Sequence, residues 1–228
     1  MLPKLEPLAN HYGHDVTSFV PQPEHVGSLH QMDRGHVEIW ERAAPYLSVR
    51  DNDAHTIYAY GLARALLGSH PDADPEVVLP GILLHDTGWS QVPEGDVLTA
   101  IAPGAGDHDL VLRHEREGAR IAREILLDVG HDPERSARVI EIVDGHDSRR
   151  EALSLDDAIV KDADKLWRLT PHGIDTVMDW FGLTREAAVR LIASRVHDHL
   201  FTEAARAMAR GFEAVAWVDT RPQRVALG

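Results

Sequence analysis

The 228-residue chain has no cysteine. Disulfides, thiolate zinc sites and thiol catalysis are therefore excluded. Aromatic residues are sparse at 6%, and basic residues are outnumbered, 23 against 37 acidic, for a net charge of −14. That balance works against a nucleic-acid backbone or an anionic membrane as the main partner. No apolar run approaches membrane-spanning length, and residues 1–20 lack the apolar core of a signal peptide, so a cytoplasmic location is expected. Period-two strand patterns of useful length are missing as well. What remains is a chain long enough for one sizeable core, with helical punctuation and fifteen histidines.

The helical signals can be followed in order. Residues 1–32, with Pro21, Pro23 and Gly27, read as an extended arm, and residues 33–228 as one all-α domain with its core over 51–170. From Asp33 a short helix presents Val37, Trp40 and Ala44 on one face. A second runs from Asp51–Asp53 to Gly68, with His55, Ala59, Leu62 and Leu66 on one stripe. Asp74 and Pro75 form an N-cap and first-turn pair for a helix carrying Val78, Ile82 and His85, which Thr87 and Gly88 end just after Asp86. Ser90 to about Asp109 looks irregular, a loop long enough to cover a site. Beyond it His114, Gly118, Ile121 and Ile125 share a stripe, as do Val139, Ile142, Val143 and His146. Ser154 with Asp157 resembles a capping box for a helix aligning Val160, Asp164 and Trp167. From Thr184 an alanine-rich amphipathic pattern runs towards Trp217.

His55, His85, Asp86, His114, His146 and Asp164 stand out because each lies on or beside an apolar helical stripe. A buried face normally excludes imidazoles and carboxylates, since each must find a partner or cost free energy. Any single histidine of this kind is more often a satisfied core residue than a ligand. All six are nitrogen or oxygen donors, and a shared metal site would satisfy them together. That donor set suits Fe, Mn, Ni, Co or Zn, and the general affinity order of these metals does not choose among them.

The ordered pattern of His55, then ILLHDTG with His85 and Asp86, then KDADKL with Asp164, resembles the HD-domain superfamily of metal-dependent phosphohydrolases. The resemblance covers roughly residues 51–167 and implies a helical bundle in which His55, His85, Asp86 and Asp164 bind one divalent metal. RHEREGARIA with His114 and IVDGHD with His146 are similar to the extra histidines of the members that hold two. It implies further that Asp86 bridges the two ions, that His114 and His146 complete the second, and that these three residues take part in catalysis. Asp162 is a rival to Asp164 for the last acidic position.

Two metal ions could clamp a phosphoryl oxygen and acidify a water, and their charge would let an acidic protein take an anionic small-molecule substrate. The resemblance thus implies hydrolysis of a small phosphate ester or nucleotide. Two departures bear on the substrate. Deoxynucleotide phosphatases of the superfamily carry a glutamate three residues after His-Asp, where this chain has Trp89 and no carboxylate before Glu94. Cyclic-dinucleotide phosphodiesterases place a lysine at the Trp89 position and carry a GYP element that is missing here.

HD-fold di-iron oxygenases, which act on phosphonates or polyols, resemble the same six-residue set, and a metal-stabilised binding module without turnover is a third reading. Lys161, Lys165, Arg149 and Arg150 are candidate phosphate contacts, with solvated surface charge as the plainer role. The histidines at 11, 14, 25, 30 and 36 could form an accessory site, although solvated arm residues are the simpler account. His197 and His199 lie two apart on a helix and face different ways. His172 is near enough to Asp164 in sequence to reach the same cavity. A homo-oligomer is left open.

Overall fold

The computed structural model describes residues 13–27, 32–104 and 106–220. The chain divides into two compact units, Met1–Gln31 and Met32–Gly228. In the first, Thr17–Phe19 and Pro23–His25 form single 3₁₀ turns, where a wholly extended arm was expected. His11 and His30 lie outside the described residues.

The second unit is all-α among its described residues. Its helices are α1 (Arg34–Ala43), α2 (Asn52–Leu67), α3 (Pro75–Leu84), α4 (Glu94–Ile101), α5 (His108–Asp128), α6 (Pro133–Val143), α7 (Leu155–Trp167), α8 (Pro171–Phe181), α9 (Arg185–Val196) and α10 (Glu203–Asp219). Local chemistry sets many of the boundaries. Asp74 accepts from the Glu76 N–H with Pro75 in the first turn of α3, Asp132 caps α6 through the Arg135 N–H, and Ser154 caps α7 through the Asp157 N–H.

At the centre lies α7, packed against α2, α3 and α10 and buried over nearly its whole circumference. Ile159, Val160, Leu166 and Trp167 are almost fully removed from solvent, each stabilising the fold by roughly 1.5–3 kcal/mol relative to exposure. Polar residues survive on so buried a helix because each meets a specific group. Asp156 accepts from the Asp74 N–H and pairs with Arg138, and Asp157 accepts from the Leu153 N–H at 2.8 Å. Asp162 accepts from the Phe201 and Thr202 N–H groups and from the Thr202 hydroxyl, at 2.7 to 2.9 Å. It anchors the start of α10, which removes it as a rival to Asp164.

Three sequence expectations are corrected. The stretch from Ser90 to Asp109 is not wholly irregular: it contains α4, whose Val97 and Ala100 join Trp89 and Val92 in a small second core. On α1 the buried residues are His36, Ile39 and Ala43, while Val37 and Trp40 are half-buried, because the helix turns its His36 side towards Tyr60. The alanine-rich pattern after Thr184 is two helices. A 3₁₀ turn at His197–His199 and the extended Leu200 separate α9 from α10, where Asp162 captures the chain.

Two glycines set how closely the site's elements approach. After α3 the chain makes a 3₁₀ turn, Thr87–Gln91, lying against α5. A Cβ on Gly88 would overlap the His114 carbonyl, and one on Gly118 would stand 3.3 Å from the His85 carbonyl oxygen and 3.4 Å from the Gly88 nitrogen. Backbone thus meets backbone here, which brings the turn after His85 and Asp86 against the helix that carries His114.

Candidate metal centre

The six residues come from five elements and converge. His55 stands on the first turns of α2, His85 and Asp86 follow α3, His114 is on α5, His146 follows α6, and Asp164 is on α7. All are buried. The His55 and His85 Nε2 atoms lie 3.0 Å apart, and those of His114 and His146 lie 3.4 Å apart. Asp86 stands between the pairs. Its Oδ2 is 3.5 Å from His55 Nε2 and 3.6 Å from His85 Nε2, whereas its Oδ1 is 3.5 Å from His146 Nε2 and 3.9 Å from His114 Nε2. Asp164 Oδ1 closes the first group at 3.5 Å from His55 Nε2.

A seventh residue belongs with them. Asp147 Oδ2 lies 3.7 Å from His146 Nε2 and 3.8 Å from His114 Nε2, completing a group of His114, His146 and Asp147 that parallels His55, His85 and Asp164. Its sequence signal was the second His-Asp pair, at residues 146–147, which repeats the one at 85–86. The buried Glu115 shapes this corner, accepting from the Asp147 and Ser148 N–H groups at 2.9 and 2.8 Å and from the Ser148 hydroxyl at 2.6 Å.

Two of the four rings are oriented by the backbone. His85 Nδ1 is 2.8 Å from the Ile82 carbonyl and His146 Nδ1 is 3.0 Å from that of Val143. A carbonyl only accepts, so each Nδ1 carries the hydrogen and each Nε2 is directed into the site. Trp89 stacks on His114 with centroids 3.9 Å apart, and Trp167 meets His55 edge-on at 4.4 Å.

The electrostatics favour a cation. Burial alone would raise the pKa of Asp86, but His85, His146 and His55 outweigh it and hold the carboxyl well below the usual range. Against the same burial, Lys165 and the neighbouring histidines lower Asp147, and Lys165 and Arg168 lower Asp164. Burial pushes His55 and His114 down to about 4. His146 goes the other way: although burial lowers it, Asp147 and Asp86 lift it to about 9. A proton and a metal ion compete for such a nitrogen. Two imidazole nitrogens bound to one cation at about 2.1 Å would lie about 3.0–3.4 Å apart for bond angles between octahedral and tetrahedral. The observed pairs have that spacing, so the residues fit divalent metal.

The sequence profile of the HD domain matches residues 52–169, more than half of the chain. The chain belongs to the HD domain family. Among solved structures, it is similar to a predicted HD superfamily hydrolase from an uncultured Thermotogales bacterium, with a TM-score of 0.54 and 21% identity, covering 84% of this chain and 92% of that one. At that identity the likeness is one of fold. No curated protein matches the chain.

Around this HD centre the other candidates sort by what they touch. Lys165 donates to Asp147 Oδ1 at 2.6 Å and to Asp164 Oδ2 at 2.5 Å, tying the two outer carboxylates together. Lys161 is spent on the Arg149 and Glu151 carbonyls, and Arg149 on those of Glu141 and Asp144. Arg150 lines a cleft of about 500 Å³ that opens at His146 and Asp147. His172 accepts from the Trp167 indole at 3.1 Å and stacks on Tyr58, so it orders a neighbour of the site. His197 pairs with Glu213 at 2.8 Å, while His199 faces the cleft. Sequence reasoning passed over Arg50 and Arg168, which line the recess at the centre itself.

Proposed function

We propose that this HD protein is a metal-dependent phosphohydrolase that uses two divalent cations to cleave a small phosphate ester or nucleotide with water. The observation that carries this reading is Asp86, whose two oxygens face different histidine pairs, each pair closed by a further carboxylate. Divalent cations held there would supply Lewis acidity to a phosphoryl oxygen and lower the pKa of a water, a chemistry that needs no covalent enzyme intermediate.

The chain's own residues supply position and charge. Asp86, Asp147 and Asp164 carry the negative charge that holds the cations, and Lys165 restrains the two outer carboxylates. The 500 Å³ cleft beside them sets Arg149, Arg150, Lys161, Lys165 and Arg168 against Asp147 and Asp198, a wall with a local excess of positive charge on a protein of net charge −14. Such a wall offsets the repulsion that an anionic ester would otherwise meet. Among the described residues no helix is long and apolar enough to cross a membrane.

The test is phosphate release from a panel of phosphomonoesters and nucleotides by Mn-, Ni- or Co-loaded protein in anaerobic buffer, with Asp86→Asn as the blank. Release independent of oxygen is the expected result. Turnover that requires iron, reductant and oxygen would replace hydrolysis with oxygenase chemistry on the same centre.

A further inference from the structure

Arg50 is placed at a conformational cost, and two of its nitrogens lack a hydrogen-bond partner. It and Asp51 are the non-glycine residues with positive φ among the described residues, at 54° and 58°, and they stand just before α2 and His55. The left-handed region is unfavourable for a bulky side chain, so such a residue points to a local requirement. The Arg50 guanidinium lies over two indoles, 5.2 Å from the Trp89 ring centroid and 5.1 Å from that of Trp180. A guanidinium lying over rings keeps its N–H groups as its polar part. Its Nε and Nη1 are buried and have no hydrogen-bond partner.

Arg168, at the C-terminal end of α7, repeats the pattern. Its Nη1 is also buried without a hydrogen-bond partner, 3.8 Å from Asp164 Oδ1. Both arginines line one recess of about 30 Å³, together with His55, Asp86, Asp147 and Asp164. The recess has room for about one or two oxygen atoms of a larger group, and Ile101, Asp147 and Arg168 line both it and the 500 Å³ cleft. The recess carboxylates Asp86, Asp147 and Asp164 are the ones that cations would engage, which leaves the unpaired N–H groups of the two guanidinium ions to an anion.

We infer that Arg50 and Arg168 form an anion-binding fork for the tetrahedral oxyanion of the substrate, a phosphate group whose other oxygens face the metal centre. A phosphomonoester has three terminal oxygens, enough to meet two arginines and the cations together, whereas a carboxylate has two. The identity of the anion rests on the phosphohydrolase reading. The fork itself rests on the two arginines.

The experiment is calorimetric titration of the Mn-loaded protein with inorganic phosphate. Arg50→Met and Arg168→Met should each raise the dissociation constant at least tenfold at unchanged metal content, and Arg50→Lys, which keeps the charge but loses the fork, should fall between wild type and Arg50→Met. If Arg50→Met does not fold by circular dichroism, Arg50→Lys and Arg168→Met carry the comparison. Phosphate affinity within twofold of wild type in the folded variants overturns the fork, as does failure of the wild type to bind phosphate. Arginine-dependent phosphate binding without ester hydrolysis would remove the reaction class and leave the fork standing. Hydrolysis with arginine-independent binding would do the reverse.

Discussion

Trp89 lies flat against His114, with ring centroids 3.9 Å apart and planes inclined by 8°, and its indole N–H donates to Asp86 Oδ1 at 3.1 Å. One side chain therefore orients two candidate ligands, through its face and through its edge. Trp89→Phe keeps an aromatic face and deletes the donor. Groups that orient ligands in this way typically account for 10- to 100-fold in metal affinity. The variant should stay folded and bind Mn or Co at least about tenfold more weakly. Competition with a chromogenic chelator measures this, and an unchanged affinity would show that the indole hydrogen bond is incidental.

Asp86 is expected to serve both halves of the centre, and Asp147 and Asp164 one half each. Asp86→Asn removes the charge at nearly constant shape and turns an amide NH₂ towards one of the histidine pairs. Elemental analysis of purified variants should therefore show Asp86→Asn retaining less metal than either Asp164→Asn or Asp147→Asn, with helical circular dichroism preserved in all three. Equal losses across the three would rule out a shared carboxylate.

The parts of this centre that were legible in the sequence are those carried by periodicity and local spacing. His55 and His114 interrupt stripes whose other members are apolar, and the adjacent His85 and Asp86 follow a helix that is buried from Val77 to Leu84, so the burial of these four could be read from the residues around them. Asp147 was harder to find because it lies in a short turn after α6, where no helical stripe marks its direction; its position depends on Glu115, thirty-two positions away. Arg50 was invisible for a similar reason. Its direction comes from a left-handed backbone that no glycine or asparagine announces, and its neighbours Trp89 and Trp180 come from distant elements. The break between α9 and α10 is also a tertiary effect, since Asp162 on α7 accepts the donors that a continuous helix would have used internally.

Gly88 is required by the close approach of two backbones, so its replacement tests the fold beneath the site. In Gly88→Ala the new methyl would overlap the His114 carbonyl, and main chain cannot swing aside as a flexible side chain can. Overpacking of this kind commonly costs 1–3 kcal/mol and more where nothing yields, so a loss of about 3 kcal/mol or outright misfolding is expected. Gly95→Ala is the control: it lies in the first turn of α4 with nothing within 4 Å of the added Cβ, and should be neutral or stabilise by up to about 1 kcal/mol. Urea denaturation of the two variants separates a steric requirement at Gly88 from a general intolerance of alanine for glycine.

His36 gives the fold an acid-sensitive contact away from the metal centre. It is buried on α1, its Nδ1 lies 3.0 Å from the Tyr60 hydroxyl, and its Nε2 is 3.6 Å from Glu76. Burial lowers its pKa from the ordinary 6.5; Glu76 and Asp33 oppose that shift, and Arg64 and His131 reinforce it. Between the depressed folded value and 6.5, the unfolded chain binds more protons than the folded one, so stability rises with pH in that window. The contribution of His36 is fully present above pH 6.5 and is lost as pH falls through its folded value. His36→Gln can retain a hydrogen bond to Tyr60 without titrating, so its unfolding free energy should fall less than that of the wild type between pH 7 and pH 5. Urea unfolding at a series of pH values gives both slopes. Parallel curves for the two proteins would mean that His36 does not change protonation on unfolding, and the acid sensitivity would then have to come from other buried groups.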